Sequence, residues 1–250
     1  MNRLVRMTES DRARKTFYPT PEKLAEKLLQ GLRWDRIESV LEPSAGKGDL
    51  ARYVAGRLHY SRNRYPAHDS RTWAEAIKEA DIDCVEIDSN LRNVLEGEGF
   101  RVVHDDFLTY ETQKRYRLVV MNPPFDNGAA HLLKALELMQ RGGTICCILN
   151  AETLRNCYTE QRRELAAKLK AYGAEIEFVS GAFADAERQT DVDVALIRVN
   201  IPQVAVNSTI VEEMRKAPTY KTQTVPSELT ELVQYNVIEE WVNRYNFEAA

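Results

Sequence analysis

The chain has 250 residues, a net charge of −4, and 44% hydrophobic and 29% charged residues. That length supports one substantial core with a small appendage, and the proportions are those of a globular protein in water. No apolar run approaches the roughly 20 residues needed to span a bilayer. The start, Met1-Asn2-Arg3-Leu4-Val5-Arg6, also lacks a secretion core, so the cytoplasm is the expected location.

The acidic balance argues against coating nucleic acid through bulk charge but leaves room for a local basic face. Cys84, Cys146, Cys147 and Cys157 form no C-x-x-C pair. Adjacent Cys146 and Cys147 would point to opposite faces of a strand, so neither a zinc site nor a disulfide framework is expected. His59, His68, His104 and His131 are scattered and read as surface or hydrogen-bonded histidines.

Residues 1–16 carry Arg3, Arg6, Arg12, Arg14 and Lys15 against Glu9 and Asp11. They read as a flexible basic arm, either simply solvated or contacting phosphates. Thr20-Pro21 then opens a helix, with a hydroxyl cap followed by proline at the first helical position. Leu24, Leu28 and Leu32 give that helix one apolar face. Thr20 serves as a cap or meets a ligand carboxylate through its N–H and hydroxyl.

Residues 37–41 read as the first strand, ending in Glu42-Pro43-Ser44-Ala45-Gly46-Lys47-Gly48-Asp49. Small residues and two glycines let backbone amides approach a ligand before a helix over 50–58. A phosphate-binding loop would need Ser or Thr after Lys47, where Gly48 stands, so an NTPase is disfavoured. Residues 59–80 exceed a simple β-α-β link and read as an insertion: a loop over 59–73, then a short helix over 73–80. Arg62, Arg64 and Arg71 alternate there with Tyr60, Tyr65 and Trp73. This pattern fits a surface loop or a grip on single-stranded or flipped nucleic acid.

Residues 82–88 form a second strand with an acidic tip, placed where a carboxylate accepts both hydroxyls of a ribose. A helix capped by Ser89 or Asp88 follows, then a third strand, Phe100–His104, ending at Asp105-Asp106-Phe107. Asp106 either caps the loop or, in register with Glu86, binds an amino group with Phe107 against the ring that carries it.

The fourth strand, Arg117–Met121, ends at Asn122-Pro123-Pro124-Phe125. Two prolines force a stiff exit from the sheet and present an amide, carbonyls without ladder partners and an aromatic ring. That equipment suits a flat ring bearing an amino group. Strands over 144–149, 175–180 and 193–199 complete a seven-stranded α/β sheet. It is expected to be mostly parallel, with helices on both faces and an antiparallel hairpin at one edge.

Pro202 closes this domain; residues 203–227 read as a polar linker and 228–247 as an amphipathic helix. The chain ends at Ala249-Ala250 without a capping signal. This reads as a truncated chain, or as one whose missing recognition domain or subunit covers the apolar stripe.

In order, Tyr18-Pro19-Thr20-Pro21, Leu41–Gly48, Val85-Glu86-Ile87-Asp88, Asp105-Asp106-Phe107-Leu108 and Asn122-Pro123-Pro124-Phe125 resemble class I S-adenosylmethionine-dependent methyltransferases. More narrowly they resemble the gamma-order N6-adenine DNA methyltransferases. The resemblance covers roughly residues 17–200 and implies a Rossmann-like catalytic domain over 1–202 acting on a flipped adenine of DNA.

It assigns Thr20 and Glu42, Pro43, Ser44, Ala45, Gly46 and Gly48 to the methionine end of S-adenosyl-L-methionine. Glu86 takes the ribose hydroxyls, Ile87 packs on the adenine, and Asp106 with Phe107 holds its amino group and ring. Asn122, Pro123, Pro124 and Phe125 become the catalytic tetrapeptide, and Phe183 an aromatic on the target base. No metal is implied.

The same tetrapeptide occurs in enzymes acting on RNA base amino groups and on a protein glutamine amide. A non-catalytic subunit with this fold is a further alternative. The long segment 59–80 and the lack of a large recognition domain after the sheet depart from the family pattern.

Overall fold

The computed structural model describes residues 19–183 and 192–203. The basic arm, the polar linker and the C-terminal helix expected from the sequence lie outside the described residues.

In chain order the elements are α1 (Glu22–Leu28), β1 (Val40–Pro43), α2 (Asp49–Asn63), α3 (Ser70–Glu79), β2 (Ile82–Val85), α4 (Ser89–Gly97) and β3 (Arg101–His104). They continue with β4 (Leu118–Met121), α5 (Gly128–Leu138), β5 (Gly143–Asn150), α6 (Glu152–Arg155), α7 (Glu160–Ala171), β6 (Glu175–Val179) and β7 (Val194–Ile201). Short 3-10 turns lie at Trp34–Arg36 and Phe107–Thr109.

The seven strands form one sheet in the order β3-β2-β1-β4-β5-β7-β6. The first five are parallel, and β7 is inserted antiparallel between β5 and β6. The expected fold class is therefore observed, with β6 outermost.

Helices cover both faces because the central strands are apolar on both sides. Leu118 and Val120 of β4 face one core with α1 to α4, while Val119 and Met121 face a second core with α5 and α7. Cys146 and Cys147 divide between the two cores in the same way.

The region 59–80 departs from expectation. Helix α2 runs five residues past Leu58 to Asn63 and ends at Arg64 in the left-handed region. Helix α3 begins at Ser70, not Trp73, because Asp69 and Thr72 make a reciprocal capping box. The long loop shrinks to residues 64–69. His59 is buried, with Nδ1 3.0 Å from Asn63 Nδ2 and 3.4 Å from Glu79 Oε2.

Gly48 precedes α2 with φ of 84°. A Cβ there would lie 2.8 Å from Leu95 Cδ2 and 3.3 Å from Phe100 Cε2, both in the core. Strain and overlap act together, so Gly48→Ala should destabilise the protein by about 1–3 kcal/mol. Urea denaturation of the two proteins measures the difference.

Candidate functional site

The site lies at the C-terminal edge of the parallel strands. β1 pairs with β2 on one side and β4 on the other, with Val40 opposite both Ile82 and Leu118. The turn after β1, Glu86 after β2 and Asn122 after β4 therefore emerge together. The strand order reverses between β1 and β4, which is where open α/β sheets carry their ligand crevice.

The β1 turn is tightly tied. Ser44 and Gly46 adopt positive φ, at 65° and 59°. The Ala45 N–H donates to the Val85 carbonyl (2.9 Å), and the Gly48 N–H to Ala45 (2.8 Å). Glu86 is buried; its Oε2 accepts from the Gly46 N–H at 2.7 Å and its Oε1 from the Asp88 N–H at 2.9 Å. Burial raises the Glu86 pKa above the ordinary carboxylate value, against the opposing pull of those two N–H groups. Asp88 caps α4 through the Asn90 N–H at 2.8 Å, settling which of the two candidates does so.

Glu42, on β1, is also buried, and its Oε2 has no hydrogen-bond partner. Burial pushes its pKa well up, and Asp49 and Glu86 add to the shift. An orphaned carboxylate oxygen in a closed site fits a cationic donor such as an ammonium group.

At the β3 tip, Asp106 Oδ1 accepts the Leu108 N–H at 2.9 Å, which caps the turn there. Phe107 is buried in the second core, its ring 5.9 Å from that of His131. Ile87 stays half-buried beside Glu86.

Asn122 is half-buried, and its Nδ2 donates to Thr20 Oγ1 at 3.1 Å across 102 residues of chain. That bond sets the amide's orientation, with its oxygen at the other end. Thr20 is not the helix cap. Pro21 occupies that position, and its carbonyl receives the Leu24 and Ala25 N–H groups at 2.9 and 3.0 Å.

The far end of α1 is held by Arg198 of β7, which donates to the Leu28 and Gln30 carbonyls at 2.9 and 2.5 Å. Pro123 is buried and Pro124 half-buried. The half-buried Phe125 meets the buried Phe183 edge-on, with ring centres 5.9 Å apart.

Two supporting residues carried no sequence signal. Arg92 donates to the Glu86 and Ile87 carbonyls, both at 2.9 Å, and fixes the β2 tip. His131, buried behind Phe107, has its pKa lowered by burial. Among the described residues no cluster of three or more His, Cys, Asp or Glu could hold a metal ion, and no helix is long and apolar enough to cross a membrane.

No protein-family model matches the chain, and no curated protein matches it by sequence. Solved structures do resemble it. The M protein of the type I restriction enzyme EcoKI superimposes with a TM-score of 0.56 at 16% identity, over 74% of this chain and 44% of that one. A modification subunit of a type I restriction enzyme from Vibrio vulnificus gives 0.52 at 16% identity, over 75% and 45%. The 23S rRNA methyltransferase ErmE gives 0.51 at 20% identity, over 80% and 76%. The chain thus has the Rossmann-like methyltransferase fold, and it spans less than half the length of the two restriction-enzyme subunits.

The buried Glu42 carboxyl makes a stability prediction. A folded-state pKa raised above the unfolded value means that Glu42 costs no stability below about 4.5, begins to cost it as pH rises past that value, and costs it in full above the folded pKa. Glu42→Gln should therefore stabilise the ligand-free protein at pH 8. The gain should fade towards pH 4, as read from urea melts across that range.

Proposed function

We propose that the protein transfers a methyl group from S-adenosyl-L-methionine to the exocyclic N6 of adenine in DNA. The observation that carries this reading is Asn122. It leads the rigid Asn-Pro-Pro-Phe exit of β4, is oriented by Thr20, and lies one strand across from the Glu42–Gly48 turn.

S-adenosyl-L-methionine supplies an electrophilic methyl on a sulfonium. The chain's residues fit that group. Glu42 Oε2 is a buried acceptor suited to the ammonium of its methionine end. Glu86 takes the ribose hydroxyls, Ile87 packs on the adenine, and Asp106 accepts its amino group with Phe107 behind. Ser44, Ala45, Gly46 and Gly48 would shape the turn beneath the donor, and Thr20 would hold its carboxylate.

The adenine N6 is a weak nucleophile because its lone pair is delocalised into the ring. Asn122 Oδ1 and the Pro123 carbonyl accept its two N–H groups, which draws the nitrogen towards tetrahedral geometry and localises the lone pair. Pro124 keeps the tip stiff. Catalysis is then mainly positioning, a term that removes roughly 7–11 kcal/mol in well-oriented systems. Phe125, braced by Phe183, stacks on the base for about 1–3 kcal/mol. That offsets part of the few kcal/mol needed to flip a base from a duplex. A further recognition subunit is proposed as partner by analogy with the restriction-enzyme modification subunit that shares the fold.

Incubation with labelled donor and DNA, followed by nucleoside analysis, should yield N6-methyladenine. Parallel arms with RNA and with glutamine-bearing protein separate the other acceptors that present a planar amino group. Asn122→Ala should lower methyl transfer at least about 100-fold, while donor binding by calorimetry survives. Undiminished turnover would end the assignment.

A further inference from the structure

A cleft of about 610 Å³ runs along α2 and begins at Thr20, the residue bonded to Asn122. Its wall is one helical stripe, Tyr53, Gly56, Arg57 and Tyr60, at spacings of three, four and seven residues. The opposite face of α2, with Leu50, Ala51, Val54, Ala55 and Leu58, is buried in the core. On this stripe Arg57 and Tyr60 stay exposed, while Tyr53 and Gly56 are half-buried and Tyr53 packs partly against the core.

Helix α3 adds Trp73, and the 64–69 turn adds Pro66. The Trp73 ring crosses α2 at Gly56, where a Cβ would stand 2.9 Å from its Cη2. Tyr60 is 45% exposed and Arg57 is exposed, with its guanidinium 5.7 Å from the Trp34 ring centre. The acids Glu22 and Asp49 also line the cleft.

We propose that this cleft binds unpaired nucleotides of the strand that carries the target base, stacking bases on Tyr53, Tyr60 and Trp73 and setting a phosphate on Arg57. The identification of that strand rests on the adenine-methyltransferase reading above. One exposed tyrosine and two half-buried rings beside an exposed arginine, in a cleft that reaches Thr20, suit single-stranded nucleic acid, because every base has a stacking face and every link an anionic phosphate. The length agrees: Tyr53 to Tyr60 spans about 10 Å of helix, or about three stacked nucleotides. The capping box at Asp69 and Thr72 starts α3 early enough to bring Trp73 round to this side.

The test is fluorescence anisotropy of a labelled single-stranded oligodeoxynucleotide with wild-type protein, Tyr60→Ala and Arg57→Ala. Both side chains are exposed, so both variants should keep the wild-type circular dichroism spectrum. Tyr60→Ala should weaken binding at least about fivefold. Arg57→Ala should reduce the slope of log K against log salt by about 0.7.

Wild-type affinity and salt slope in both variants, or no binding by the wild type at low salt, would overturn the proposal. If the strand binds through these side chains but no methyl is transferred, this inference stands and the methyltransferase reading falls. If adenine is methylated with an unchanged KM for DNA in both variants, the reading stands and this inference falls.

Discussion

The site depends on β1 being paired on both sides by strands that run in its own direction. Parallel pairing brings like ends together, so three chain segments far apart in sequence exit on one edge. The antiparallel β7 extends the same logic. Val194 at its start pairs with Asn150 at the end of β5 and with Val179 at the end of β6, so the residues just after β6 also leave at that edge. This brings Phe183 to Phe125 although 58 positions separate them. The two apolar faces of the strands supply the driving force, and the breakers after each strand decide what the edge presents.

Two buried carboxyls, Glu42 on β1 and Asp83 on β2, show how the fold separates support from function. Asp83 is fully compensated: Tyr116 Oη donates at 2.7 Å and Lys114 Nζ at 2.8 Å, and Arg101 pairs with it as well. It ties β2 to β3 and to the segment entering β4, and nothing remains for a ligand. Glu42 keeps an orphaned oxygen under the glycine turn. A buried acceptor without a donor costs about 1–3 kcal/mol, and a donor group brought against it would offset that cost.

Most strands were legible because they are short apolar runs bounded by glycine, proline or acid, a signature that does not depend on distant partners; the exposed β6 alternates acid with apolar residues instead. The strand ends carried the motif residues for the same reason. Helix boundaries around 59–70 were harder to read. Tyr60, Arg62 and Asn63 have the composition of a loop, yet they continue α2 because Leu58 and His59 are buried and Arg62 donates to the Glu79 carbonyl at 2.8 Å. The cap at Asp69 was visible as a residue type but stood inside what read as a loop. Nothing local marks Thr20 as the partner of Asn122, since the two lie 102 residues apart and meet through the packing of α1, whose other end Arg198 holds.

Helix α2 shows how one element can serve two demands. Its buried stripe holds the sheet, and an alanine at position 56 would favour the helix by about 1 kcal/mol over glycine. Alanine would also push a Cβ into the Trp73 ring at 2.9 Å. Gly56 therefore gives up helix propensity so that an indole can lie close across the solvent side of α2. Burying part of that ring offsets the loss, since aromatic side chains dominate apolar burial. A helix needed only to cover the sheet would have no use for that exchange. A helix that also forms the wall of an aromatic cleft beside Thr20 requires it.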